Sequence, residues 1–158
     1  MSILVANGLY KLKDCYFTEF GNALMMDNKQ ESRPYYYLYQ DPEGIDWAIP
    51  LSSQVNNYRR KIAAIEAKRG KGKCVYYYIG KIASVDRVFL ISDMLPIEPK
   101  YIKDPFTING QHYVSQNSNQ IKTVRSKATR YLKLIQSGSI QDRLGVLEIK
   151  STLMERRK

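Results

Sequence analysis

The sequence predicts an α+β fold, in which a small, strongly curved antiparallel sheet or partial barrel precedes a long basic helix in the C-terminal half. Aromatic and β-branched segments, which favour strands, are concentrated in the first 92 residues. Apolar residues three and four apart, the helical spacing, dominate after residue 117. The length of 158 residues and the 44% hydrophobic content fit one domain, 1–158.

The first strands are predicted from alternation and aromatic content. Residues 9–20 form the first strand, and a polar loop separates it from the second, 35–39, which reads YYYLY. The turn signal at 41–44, DPEG, then predicts a hairpin with a third strand at 45–51. Because Pro50 cannot donate to the ladder, this strand should end near it.

A helix should follow the third strand directly. Ser52 or Ser53 can serve as its N-cap, since a serine oxygen accepts a backbone N–H of the first turn. The apolar stripe runs through Val55, Tyr58, Ile62 and Ile65. The basic, glycine-broken stretch 69–73, RGKGK, ends the helix.

The remaining elements follow the same rules. Two more strands are expected at 74–83 and 87–92, and the prolines at 96 and 99 should terminate the β region. The helical spacing predicts a long amphipathic helix over 117–136, which Ser137-Gly138-Ser139 stops. A short closing helix is predicted over 146–155.

The charge is strongly positive and unevenly distributed. The formal net charge is +10, with a pI near 9.6. Residues 59–81 hold eight basic side chains and one acid, and residues 106–141 hold five basic side chains and no acid. These two segments carry +7 and +5, so the remainder nets to −2. Two basic surfaces therefore explain the excess, and nucleic acid is the first candidate partner.

Several classes of chemistry lack their parts in this sequence. Cys15 and Cys74 show no metal-ligand spacing and His112 is the only histidine, so no zinc site or paired-histidine catalyst is expected. A P-loop, a GxSxG elbow and a carboxylate-rich metal cluster are absent from the sequence. We expect no cofactor and no metal. The start of the chain lacks the pattern of a signal peptide or membrane anchor, so a cytoplasmic protein without membrane contact is expected.

The remaining chemistry is that of phosphate groups. The N-terminus of the helix after Ser53 offers free N–H groups and the positive end of a helix dipole, which suit a phosphate. RNA carries its own nucleophile, the 2'-hydroxyl, so a protein needs only to orient it, stabilise charge on phosphorus and help the 5'-oxygen leave. Arg, Lys, Tyr, Ser and backbone amides suffice for this task.

The order of motifs carries a family resemblance. A tyrosine in the first strand, a basic residue before a hydrophobic strand, and PLSS opening a basic helix resemble the ToxN/AbiQ family of type III toxin-antitoxin endoribonucleases, most closely its CptN branch. The similarity extends to RVFLISDMLPI and to the long helix that ends near Ser137. The resemblance implies a sheet related to that of the MazF/Kid toxins. It also implies a metal-independent endoribonuclease that leaves a 2',3'-cyclic phosphate.

The same resemblance implies partners and site residues. The toxin would process a repetitive antitoxin RNA and then be inhibited by it, in a closed toxin–RNA hetero-oligomer, and would also cut cellular RNA. Ser53 matches the family serine, Tyr16 the tyrosine of the first strand, and Arg33 a family lysine before the second strand. A further family lysine falls near Val55 and is missing here, which leaves its role to Arg59, Arg60 or Lys81.

Each assignment has a structural alternative. Tyr16 could be a packed strand residue, Arg33 a solvated loop charge, and Ser52 a helix cap. Contacts to RNA, rather than chemistry, are expected from a larger set of residues: Ser52, Asn56, Arg59, Arg60, Lys71, Lys73, Lys81, Lys122, Arg125 and Arg130. The rival function is a non-catalytic RNA-binding module that uses the same basic surfaces.

Overall fold

The computed structural model describes residues 4–158, and in that range the fold is α+β, as predicted. The helices are α1 (Asp14–Phe20), α2 (Val55–Arg69), α3 (Ser118–Gln136) and α4 (Val146–Glu155). The strands are β1 (Leu9–Leu12), β2 (Tyr35–Gln40), β3 (Asp46–Ser52), β4 (Tyr78–Ile82), β5 (Val85–Phe89), β6 (Leu95–Ile97), β7 (Ile102–Pro105), β8 (Thr107–Ile108) and β9 (Gln111–His112).

Seven of the strands form one antiparallel sheet. Its path is β4-β5-β3-β2-β1-β7, with β6 added to β3, and β8 and β9 form a separate ribbon. The end strands of this path, β4 and β7, do not pair with each other, so the strands within residues 4–158 form no closed barrel.

Strand β3 lies at the centre of this sheet. All seven of its residues are buried, and β2 pairs along one edge, with Tyr36 opposite Ile49. The other edge is shared, because β6 pairs with its first half and β5 with its last two residues, Leu51 and Ser52. The predicted hairpin of β2 and β3 is confirmed. The strand ends near Pro50, as predicted: it runs two residues further, to Ser52, and the Pro50 carbonyl oxygen accepts a hydrogen bond from the Leu90 amide at 3.0 Å.

The prediction of a single strand over residues 9–20 is wrong beyond Leu12. The chain turns into helix α1, whose aromatic residues Tyr16, Phe17 and Phe20 lie at helical spacing. The rings of Phe17 and Phe20 lie 5.2 and 5.3 Å from the ring of Tyr16. Packing of these rings against the core therefore overrides their strand propensity.

The prediction that the β region ends at the prolines is also wrong. Pro96 lies within β6 opposite Trp47, and β7, β8 and β9 follow it. Since β6 pairs only with β3, Pro96 sits on an edge strand, where a missing N–H is tolerated. Pro99 opens a single 3-10 turn, Pro99–Tyr101.

The C-terminal helices match the prediction closely. Helix α3 begins after Asn117, whose side chain accepts a 3.0 Å hydrogen bond from the Gln120 amide, and ends before Ser137. Its buried face, which includes Val124 and Ala128, joins the hydrophobic core. None of the helices in residues 4–158 has the length and apolar character that a membrane span requires.

Candidate nucleic-acid interface

The two serines between β3 and α2 have different environments. Ser52 is 7% exposed, and its Oγ accepts a 3.1 Å hydrogen bond from the Gln54 amide. Ser53 is exposed, and its hydroxyl makes no hydrogen bond to any residue in the range 4–158. The prediction that one of these serines is the N-cap of α2 is wrong, because the N-cap is Gln54 and no side chain caps the helix. Ser52 stabilises the turn before the helix, while the Ser53 hydroxyl is available to a ligand.

The first turn of α2 adds free donors beside Ser53. The Val55 amide donates to Ser53 O at 2.8 Å, and the Tyr58 amide donates to Gln54 O at 3.2 Å. The amides of Asn56 and Asn57 have no acceptor among the described residues, and the first turn contains no acidic side chain. These amides and the helix dipole favour an anion at this position.

Arg33 stabilises the end of β3, next to the serine turn. Its side chain is 4% exposed, so it is not a solvated loop charge. Nη1 donates to the Leu51 carbonyl oxygen and Nε to the Asp27 carbonyl oxygen, both at 2.6 Å. Arg33 thus fixes the end of β3 immediately before the two serines.

Tyr16 lies elsewhere. It is a helix residue with a fully buried side chain, and its hydroxyl donates a 2.8 Å hydrogen bond to the Pro96 carbonyl oxygen. Burial raises the pKa of this phenol well above its usual value. A group sealed in the core cannot exchange a proton with bound RNA, so the structure does not support the catalytic role predicted for Tyr16. The tyrosine in the first strand is Tyr10.

Two of the predicted basic residues meet at one acid. Arg59 of α2 and Lys81 of β4 approach Asp86 at 3.8 and 2.8 Å, and these cations lower the pKa of the Asp86 carboxyl. Gln120 holds this strand against the start of α3, because its side-chain amide bonds both the N–H and the C=O of Lys81 at 2.7 and 3.0 Å. Gly80 makes this approach possible, since a Cβ there would lie 2.3 Å from Gln120 Oε1.

Part of each basic segment of the sequence lines one groove in the structure. The stretch 69–73 lies beside α3, and the cavity between them has a volume of about 610 Å³. Lys127 of α3 fixes the stretch by donating to the carbonyl oxygens of Gly72 and Cys74, at 3.0 and 2.6 Å. The basic side chains that line this groove are Arg69, Lys73, Lys127 and Arg130.

The basic surface continues along α3. An adjoining depression of about 480 Å³ shares Ser126 and Arg130 with the groove, and its other basic side chains are Lys122, Arg125 and Lys133. The Arg125 guanidinium lies 5.1 Å from the centre of the Tyr39 ring, a cation–π distance. Arg60, Asn56 and Lys71 are exposed and line neither cavity.

A cluster that sequence reasoning missed lies between α2 and the sheet. Asp93 is 5% exposed and bonds Arg143 at 2.5 Å; burial raises the pKa of this carboxyl, and Arg143 opposes the rise. The rings of Tyr58 and Tyr77 meet nearby, with centroids 4.8 Å apart. Only the run of tyrosines at 76–78 hinted at this cluster, because Asp93 and Arg143 are far apart in the chain.

The groove is well suited to hold a polyanion, and Ser53 with the α2 amides offers a separate phosphate site at the opposite end of α2 from Arg69. His112 is not available to this site, since its Nε2 lies 2.8 Å from the Leu9 carbonyl oxygen. Among residues 4–158, no three His, Cys, Asp or Glu side chains are grouped to hold a metal ion. No protein-family model matches the chain, and the comparison with well-characterised proteins gives no match.

Proposed function

We propose that this chain is a sequence-selective, metal-independent endoribonuclease toxin of a type III toxin-antitoxin system that acts in the cytoplasm. The observation that carries the proposal is the free Ser53 hydroxyl beside the free amides of Asn56 and Asn57, on a strongly basic protein. The sheet related to that of MazF/Kid and the family resemblance belong to the same proposal.

In the proposed reaction, the 2'-hydroxyl of the RNA attacks the adjacent phosphorus. The new P–O2' bond forms as the P–O5' bond breaks, giving a 2',3'-cyclic phosphate and a 5'-hydroxyl; the proton leaves O2' and a proton is taken up by O5'. Ser53 Oγ and the two amides donate hydrogen bonds to the non-bridging oxygens, which gain charge in the transition state. In this proposal Arg33 acts as a positioning residue, because Nη1 and Nε donate to the carbonyl oxygens of Leu51 and Asp27 and so fix the end of β3.

In this proposal the basic groove binds the RNA partners. Phosphate contacts from Lys73 and Arg130 would hold the folded antitoxin RNA and cellular substrates. An RNA that bridges the grooves of neighbouring toxins would close a toxin–RNA hetero-oligomer. Light scattering of the purified complex measures its stoichiometry.

The second candidate is a non-catalytic RNA-binding module. One observation favours it: Tyr16, the tyrosine that the resemblance places in the site, is buried in the core with its hydroxyl bonded to the Pro96 carbonyl oxygen. The one histidine of the sequence, His112, is bonded to the Leu9 carbonyl oxygen. This candidate uses the same groove and predicts binding without cleavage.

The deciding experiment is cleavage of a mixed RNA in excess EDTA, with the new ends analysed for 2',3'-cyclic phosphate. Wild type and Ser151→Ala, an exposed serine of α4 with no hydrogen bond in the described structure, should cut equally. Ser53→Ala should lose cleavage and keep RNA affinity. Tight RNA binding by wild type without any cleavage would favour the binding module.

A further inference from the structure

A second cavity lies beside the basic groove. It has a volume of about 360 Å³ and opens between α2, α3, residues 76–77 and the loop before α4. Its walls include three tyrosines, and its polar groups come from Ser92, Gln141 and Arg143. This size lies within the range of small-ligand pockets.

The aromatic walls are held in place by their neighbours. The Tyr76 ring lies 6.1 Å from Tyr131 and 6.4 Å from Tyr77, and Tyr77 packs in turn on Tyr58. The Tyr131 hydroxyl donates a 3.3 Å hydrogen bond to the Ser92 carbonyl oxygen. The cavity is therefore preformed, with Tyr76 and Tyr77 only half-buried and available for stacking.

The polar groups of the cavity can form hydrogen bonds to the edge of a flat ligand. Arg143 is held at the cavity by its bond to buried Asp93, yet 42% of its side chain stays exposed. Gln141 is exposed and makes no hydrogen bond to other described residues. Together they offer donors and an acceptor, the groups that recognise the edge of a nucleobase.

The cavity is continuous with the groove for the RNA backbone. Tyr76 lines both, and on α2 Ile65 lines the cavity one turn before Arg69 lines the groove. We propose that this cavity binds one unpaired nucleobase of an RNA whose phosphates lie in the basic groove. The proposal rests on the proposed function for its RNA ligand, and it makes single-stranded RNA, with bases free to turn outward, the preferred substrate.

The test compares Tyr76→Ala, which removes the stacking surface, with Tyr76→Phe, which keeps it. The Tyr76 hydroxyl makes no hydrogen bond within residues 4–158, so Tyr76→Phe is a matched control. Both changes are made in Ser53→Ala protein, and fluorescence anisotropy measures affinity for a single-stranded RNA and for a fully paired RNA. Tyr76→Ala should weaken binding of the single strand by about 5- to 150-fold and leave the duplex unaffected. Tyr76→Phe should match its parent on both.

A second readout needs no change in the cavity. A 2-aminopurine base placed at each position of the single strand should be quenched at one position on binding, by stacking against a tyrosine.

A further variant changes a polar group of the cavity. Gln141→Ala should weaken binding of the single-stranded RNA without altering the thermal unfolding of the protein, because this side chain makes no hydrogen bond to another described residue.

The outcomes separate the two proposals. Failure of the parent protein to bind RNA would overturn the proposed function and the base pocket together. Binding of RNA with no quenched position, and equal affinity of Tyr76→Ala and its parent, would overturn the pocket alone. Equal weakening of single-stranded and paired RNA by Tyr76→Ala would overturn it as well, since a base pocket cannot act on paired bases.

Discussion

The Arg33 guanidinium donates a 2.6 Å hydrogen bond from Nη1 to the carbonyl oxygen of Leu51, one residue before the Ser52–Ser53 turn. Its Nε donates to Asp27 O at the same distance, so one planar fork joins the loop before β2 to the end of β3. The position of Ser53 depends on this fork.

Arg33→Lys should lower both stability and cleavage. One ammonium cannot reproduce the fork to Leu51 and Asp27, and the loss of a hydrogen bond from a charged group costs about 1–3 kcal/mol. Urea unfolding and the EDTA-resistant cleavage assay measure the two effects. Arg60→Lys, an exposed change on α2, should stay within about 0.5 kcal/mol of wild type. An Arg33→Lys protein of normal stability but without activity would instead place Arg33 in contact with RNA.

The two serines should separate stability from activity. Ser52→Ala removes the acceptor of the Gln54 amide in the turn before α2 and should cost about 0.5–1.5 kcal/mol, the net contribution of one hydrogen bond. Ser53→Ala touches no hydrogen bond in the described structure and should unfold as wild type does. Chemical denaturation of the two variants side by side measures this difference. The reverse order would show that Ser53 caps the helix and is not free for a phosphate.

Tyr16→Phe tests the position of Tyr16 in the core. The change leaves the Pro96 carbonyl oxygen without its buried partner and should cost about 1 kcal/mol of unfolding free energy. Cleavage at a temperature where both proteins are folded should be unchanged, because the hydroxyl is sealed from RNA. Loss of cleavage at normal stability would restore Tyr16 as a candidate catalytic residue.

Local patterns predict those elements whose packing agrees with their periodicity. The β2–β3 hairpin follows from YYYLY and the DPEG turn, and α4 has the predicted bounds. Helix α1 is missed because its seven residues are too few for a clear period, and because its aromatic residues favour strands. Pro96 misleads because a sequence does not show that β6 is an edge strand.

In the candidate site too, the features that could be predicted are the local ones. The serine turn and the basic segments are visible in the sequence, because each is local. That residues 69–73 and α3 share one groove depends on tertiary packing, and so do the ion pair of Asp93 with Arg143 and the three tyrosines around one cavity. Contacts between residues so far apart in the chain leave no periodicity to detect.

RNA affinity should fall as salt concentration rises, because basic side chains of the groove contact the phosphates. Arg130 lines both basic cavities, so Arg130→Ala should weaken binding of a single strand and reduce the slope of log affinity against log salt by about 0.7. Lys103→Ala removes the same charge from β7, where Lys103 pairs with Glu31 at 3.1 Å, and should leave the slope unchanged. Titrations at several salt concentrations measure both. Equal slopes for the two variants would contradict the placement of RNA in the groove.

Asp46 should make the protein less stable as pH rises. Its side chain is 2% exposed, Oδ1 accepts a 2.6 Å hydrogen bond from the Tyr37 hydroxyl, and Oδ2 has no partner among the described residues. Burial raises the pKa of this carboxyl in the folded state. The folded protein thus holds the Asp46 proton more tightly than the unfolded chain. The stability from this proton is full below the unfolded pKa of about 3.9 and is lost as pH rises through the raised pKa.

Asp46→Asn isolates this effect, because other carboxyls such as Asp86 have lowered pKa values and act in the opposite direction. An amide keeps an acceptor for the Tyr37 hydroxyl and carries no charge to desolvate. The difference in unfolding free energy between Asp46→Asn and wild type should therefore move in favour of the variant between acid and neutral pH, as Asp46 ionises. Urea unfolding of both proteins across this range measures the difference. A difference that stays constant with pH would mean that the Asp46 carboxyl is equally ionised in the folded and unfolded chains.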